Sequence, residues 1–228
     1  MGLAGDEMSR VAGLRALGRQ QLAQGARALA LRTFREAAAI AAGLGEGLLG
    51  RALGDLGVAL AAVGEYVLAD RTLLDALAHL HRATDPEGIA EVVAKRAQVI
   101  AGDPAATPAA IEAAWADAAR QCAMAGMLEE EMRVYAAAAR AALHRHDRAR
   151  CGAWLEKLAP YLDQLEGAEA TWACGELGAW RLVEGRPQDA VELLARAARE
   201  EGRAGNTQAA TLRRHELQLC LALLGQPT

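Results

Sequence analysis

The chain is poor in the residues that build sheets: ten Val, four Ile and one Phe stand against 56 Ala and 33 Leu in 228 residues. Strands draw on β-branched and aromatic side chains, whereas Ala, Leu, Glu, Gln and Arg are the best helix formers. An all-α fold is expected. Serine is almost absent. Ser9 is the single one, in a stretch that reads as a frayed terminus, so a Gly-x-Ser-x-Gly nucleophile elbow is excluded. Lysine is nearly as scarce, and neither Lys95 nor Lys157 follows a glycine-rich loop, which rules out a phosphate-cradling P-loop. His-Glu-x-x-His and Cys-x-x-Cys are both missing, which removes the commonest zinc signatures. No enzymatic activity, no cofactor and no metal site is expected.

Long apolar runs are lacking as well. The longest uncharged ones, 37–45 and 56–64, reach nine residues, against the roughly 18–20 of a membrane span. A secretory signal needs an apolar core where this chain has Asp6 and Glu7. The net charge of −4 and a pI near 5.8 argue against a general nucleic-acid binder. Cys122, Cys151, Cys174 and Cys220 lie tens of residues apart within helical pattern, as reduced small hydrophobes rather than a disulfide framework. A cytoplasmic protein is expected, with neither membrane nor nucleic acid as partner. His79 and His81 sit two apart on a helix, which turns their rings about 200° from each other. His144-Arg145-His146-Asp147 falls at a turn, and Glu129-Glu130-Glu131 opens a helix. Both read as solvated caps favoured by the helix dipole.

What is present is a repeat. Leu17-Gly18 is followed by Ala30, Phe34 and Ala37; Leu56-Gly57 by Ala69, Leu73 and Ala76; Leu177-Gly178 by Ala190, Leu194 and Ala197. The Leu-to-Ala offset is 13 residues each time and the Gly-to-large-apolar offset is 16. Leu17 and Leu56 are 39 residues apart, and Leu177 lies 121 residues further, three more periods of about 40. Two degenerate units fit the same offsets: Gln98 with Ile111 and Trp115, and Ala138 with Cys151 and Leu155. Leu14, Leu17, Gly18 and Gln21 share one helix face, and Ala30, Phe34 and Ala37 share one face of the next. Gly18 and Ala30 let the two backbones approach, and Phe34 fills the gap. One such hairpin cannot cover its own apolar face, so hairpins stack. Breakers fall where turns are needed, among them Gly25, Gly64, Gly126 and Gly185, and an Asp or Thr before Pro86, Pro104 and Pro108 suits helix starts. The spacing predicts helices over about 8–24, 26–42, 46–63, 65–82, 86–101, 108–125, 127–144, 147–159, 168–184, 187–202 and 206–224, with Pro160 ending or kinking the eighth.

This pattern resembles the tetratricopeptide repeat, in the long-period form of 39–42 residues seen in bacterial regulators. Gly64-Glu65-Tyr66 and Gly185-Arg186-Pro187 match the family's turn, while Gln21 and Arg181 stand where it has an aromatic residue. The resemblance implies one right-handed α-solenoid over 1–228, with units at about 8–42, 46–82, 86–125, 127–165 and 168–202 and a closing helix at 206–224. It also implies a concave groove lined by the residues five before, two before and two after the Leu of each Leu-Gly pair. Those are Ala12, Arg15 and Arg19; Arg51, Gly54 and Val58; Val93, Arg96 and Ile100; Arg133, Ala136 and Arg140; and Trp172, Gly175 and Ala179. Six are arginine and none is acidic. The expectation is a basic groove, with small residues leaving room for a backbone and Trp172 as an apolar anchor.

The implied function is a non-enzymatic scaffold or adaptor that binds an acidic peptide or protein segment. A regulatory sensor for a small peptide or metabolite is the alternative. Chaperone tails are disfavoured as ligands, because the asparagines that chaperone-binding members use are missing and Asp55 occupies one of those slots. The apolar stretch 219–224 of the closing helix either folds back on the fifth hairpin or joins a second copy in a homodimer.

Overall fold

The computed structural model describes residues 2–226. Among these residues there is no strand, and the helices are α1 (Gly2–Ala23), α2 (Arg27–Ala41), α3 (Glu46–Ala62), α4 (Tyr66–Ala83), α5 (Pro86–Gly102), α6 (Pro108–Met124), α7 (Leu128–His144), α8 (Arg148–Leu158), α9 (Gly167–Val183), α10 (Pro187–Arg203) and α11 (Thr207–Leu223). A 3-10 turn over Ala159–Gln164 follows α8, because Pro160 lacks the N–H that would continue the helix. Consecutive helices pack as hairpins, α1 with α2, α3 with α4, α5 with α6 and α9 with α10. The chain forms two compact units, Met1–Val134 and Tyr135–Thr228, whose boundary falls inside α7.

Helix starts follow local chemistry. Asp85 accepts a hydrogen bond from the Gly88 N–H and Thr107 from that of Ala110, each with Pro at the first helical position. Asp147 does the same for α8 by accepting from the Arg150 N–H. Asp103 differs from expectation: no helix starts at Pro104, and the Asp103 carboxylate closes a tight turn on the Ala105 N–H. α1 begins earlier than predicted. It runs from Gly2, and Ser9 is a helical residue whose hydroxyl donates to the Gly5 carbonyl at 3.0 Å, not part of a frayed end. The turn eight residues after each Leu of the repeat has a left-handed residue, at φ 90° for Gly64 and 73° for Gly185. In the fourth unit His146 holds that place at φ 60°, a conformation that costs a side chain more than glycine.

The interlock inferred from the repeat is present. A Cβ on Gly18 would lie 2.6 Å from the Phe34 ring, one on Gly57 2.6 Å from Leu73 Cγ, and one on Gly178 2.7 Å from Leu194 Cγ. In each case the large side chain of the second helix lies directly on the backbone of the first. The degenerate units bury the same positions with other residues: Val99, Ile111, Trp115 and Ala118 in the third, and Ala139, Cys151, Leu155 and Leu158 in the fourth. In α11, Cys220, 42 residues after Gly178, is fully buried against Ala190 and Leu194. All four cysteines are free and buried, and burial pushes the Cys122 thiol up to about 11.

Leu17 departs from its counterparts. It is 44% exposed whereas Leu177 is fully buried. The leucine of the pair packs towards the preceding hairpin, and among the described residues no helix covers that side of α1.

Gly57→Ala tests the interlock. Better helix propensity favours alanine by about 0.5–1 kcal/mol, but the clash with Leu73 outweighs it, for a net destabilisation of about 1–3 kcal/mol. Leu73→Ala alone costs about 2–5 kcal/mol. In denaturant unfolding, the double variant is expected to be more stable than the sum of the two effects; strict additivity would contradict the contact.

Candidate functional site

Three first helices, α1, α3 and α5, lie side by side in the first unit. Their shared face carries most of the predicted arginines. Asp55 of α3 is 2% exposed and lies at the centre. Its Oδ2 accepts from Arg15 Nε at 2.6 Å and from Arg19 Nη1 at 3.2 Å, and its Oδ1 accepts from Lys95 Nζ at 2.6 Å. Lys95 also donates to Glu91 at 2.6 Å. Arg51 grips Asp85 with two bonds of 2.8 Å and reaches Glu91 at 3.4 Å, with Glu87 at 4.0 Å. Four cations thus face four carboxylates. Burial pushes the Asp85 carboxyl up, but hydrogen bonds from Arg51 and the Gly88 N–H outweigh it and hold the group below its ordinary value. The Asp85 hydrogen bond in turn raises Arg51.

The other predicted residues are placed differently. Arg96 turns to α4, where its Nε donates to Asp70 at 2.6 Å, and its neighbour Lys95 stands with Arg15 instead. Arg133 bonds to Glu129 and Glu130 of its own helix, an exposed arrangement that contributes little. In the second unit, Arg140 of α7 lies over the Trp172 ring of α9, 4.4 Å from its centroid. Glu169 is 3.6 Å from Arg140, in ion-pair range without a hydrogen bond. Arg140 and Trp172 are therefore brought together as a cation–π pair. The small residues do not leave open space: Val92 lies against Gly54, and the Arg213 guanidinium lies against Gly175.

Asp55, Asp85, Glu91 and Lys95 are the residues that reading the groove position by position passes over. A signal for them exists. Arg15 and Asp55, Asp55 and Lys95, and Arg51 and Glu91 are each 40 residues apart, one repeat period. Opposite charges separated by one period face each other wherever successive first helices align.

Unequal burial divides the arginines by role. The Arg15 side chain is 14% exposed and the Arg19 side chain 54%. Arg15 belongs to the packed structure, whereas Arg19 gives Asp55 one N–H and presents its remaining donors to solvent. Among the described residues, no helix is long and apolar enough to cross a membrane.

No family model matches the chain, nor does any curated protein sequence. Among solved structures it is similar to BtubC (BKLC) from P. vanneervenii, at 18% identity over 88% of this chain and 83% of that one, with a TM-score of 0.65. It is also similar to a Rap protein complexed with competence and sporulation factor, at 13% identity over 95% of this chain and 64% of that one, with a TM-score of 0.63. The chain thus spans slightly less than two thirds of that Rap protein. At these identities the likeness is one of fold: an all-α stack of tetratricopeptide-like hairpins.

Removing Asp55 leaves Arg15 and Lys95 half-buried without their main counter-charge. Asp55→Ala is expected to destabilise the chain by about 3 kcal/mol and Arg19→Ala by less than about 1 kcal/mol. Urea unfolding of the two variants checks this; equal effects would mean that the cluster is not organised around Asp55.

Proposed function

We propose that the chain is a protein-interaction scaffold, not an enzyme, which holds an acidic segment of another protein on the first-helix faces of its hairpins. One observation carries this reading: Arg19 and Arg140 are held in place by neighbours yet keep most of their donors free. Arg19 is anchored on Asp55 and Arg140 on Trp172. A guanidinium with five N–H groups can serve an internal partner and a ligand carboxylate together. The remaining arginines of α1, α3 and α5 are committed to internal acids, so recognition falls to Arg19 in the first unit and to Arg140 with Trp172 in the second. The fold supports the reading, since the similar Rap structure was obtained in complex with competence and sporulation factor.

The test is capture of partners from lysate with Arg19→Glu and Arg140→Glu; Asp55 retains Arg15 and Lys95 when Arg19 is reversed. Each reversal is expected to weaken capture about fivefold at low salt, with helical content unchanged. An identical set of captured proteins, at all salt concentrations, removes the proposal.

Self-association belongs to the same reading. Leu212, Leu219 and Leu223 are exposed on α11, seven and four residues apart and so on one face. We assign them to pairing with a second copy. Light scattering should show a mass rising towards the dimer with concentration, and Leu219→Glu with Leu223→Glu should hold it at the monomer. A monomer mass for the unaltered chain at every concentration would refute the pairing.

A further inference from the structure

The second unit repeats the helix register of the first at a distance of 121 residues, the separation of Leu56 and Leu177. The seating matches as well. Arg213 of α11 lies against Gly175 of α9, and Val92 of α5 against Gly54 of α3, each 38 residues further on. The side chains presented on these helices do not match. In the first unit Arg51 of α3 reaches Glu91 of α5 at 3.4 Å; 121 residues later the same two positions hold Trp172 and Leu212. Ala179 stands in register with Leu219 and Val183 with Leu223, again 40 residues apart. A face that is ionic in one unit is apolar in the other. Val183 is 69% exposed, and Leu212, Leu219 and Leu223 are between 52% and 68% exposed. Ala179, Val183 and Leu212 line one recess together with Leu143 of α7, so the apolar surface is continuous from helix to helix. The charged trio in that recess, Arg213 with Glu176 and Glu216, is mutually bonded and mostly buried.

The leucines of α11 assigned above to a second copy therefore belong to a larger surface. Three leucine side chains supply only about 300 Å², whereas a stable pair buries about 800 Å² on each copy. The footprint has to extend, and only one direction is apolar. The other exposed face of α11 carries Thr211, Arg214 and Gln218, while towards α9 lie Val183 and Trp172. We propose that the second copy seats on the first-helix face of the second unit, on α9 and α11 together, and covers the Arg140–Trp172 pair. Neighbouring helix axes are about 10 Å apart, so Trp172 falls well inside a footprint of that size. This rests on the pairing reading of α11 and ties the two roles of the second unit together. With a second copy in place, Arg140 cannot receive an acidic segment, so that part of the partner site is open in the monomer alone. Pairing thus regulates how much of the site a partner engages.

The experiment measures the dissociation constant of the pair by sedimentation equilibrium on the full chain. Val183→Asp on α9 should raise it about tenfold or more, because the new charge has no counterpart in the covered face. Gln218→Asp adds the same charge to the polar face of α11 and should leave the constant unchanged. Both residues are exposed, so helical content should be the same in either variant. Acrylamide quenching reads the coverage directly. The Trp172 contribution, taken as the difference between the chain and Trp172→Phe, should fall about twofold or more from dilute to paired protein. A pair that tolerates Val183→Asp, equal effects of the two variants, or Trp172 quenching that stays constant while the mass doubles would each overturn this surface and leave pairing through α11 standing. A monomer mass at every concentration refutes the pairing itself, and this assignment with it.

Discussion

The close approach of paired helices at a residue without a side chain governs this structure. At Gly18, Gly57 and Gly178 the first helix presents bare backbone, and Phe34, Leu73 or Leu194 of the second helix rests on it. Burying such a side chain contributes about 1.5–3 kcal/mol, and the contact also sets the separation and rotation of the two helices. Once each hairpin has that geometry, its remaining apolar surface can be covered only by the next hairpin. The units without the glycine bury the corresponding positions too, with Val99 and Trp115 in one and Ala139 and Leu155 in the other.

Stacking then decides the electrostatics. First helices that align side by side bring residues one period apart into contact, and the Asp55 cluster results. Ion pairs of this kind are organised across helices rather than along one, and their burial makes them costly to break from one side. The face that emerges is charged but balanced. Donors stay open to solvent where geometry leaves an arginine partly engaged, at Arg19 in the first unit and at Arg140 in the second.

Much of the fold was legible in the sequence. The helices lie within a few residues of their predicted spans, since glycine, proline and capping Asp or Thr act locally and the 16-residue offset reports a direct contact. The start of α1 lies ahead of its predicted span because nothing in 2–7 forbids a helix. The candidate site was less legible. Arg15 and Arg19 differ by four positions on one helix and look equivalent in a list of groove positions. Their roles separate only because Arg15 faces the interior of the cluster and Arg19 its edge. Arg96 and Lys95 are adjacent in sequence, and a one-residue difference in register decides which of them meets Asp55.

By itself the sequence determined the helical class, the hairpin register and the identity of the buried interlocking residues, because those depend on interactions within or between neighbouring helices at constant spacing. Only the tertiary structure decided which charges are spent on internal partners and which small residues are already covered. Those outcomes depend on side chains of α1, α3 and α5, or of α8, α9 and α11, meeting in space, and the direction a long side chain takes at such a junction is set by the acids and rings that surround it.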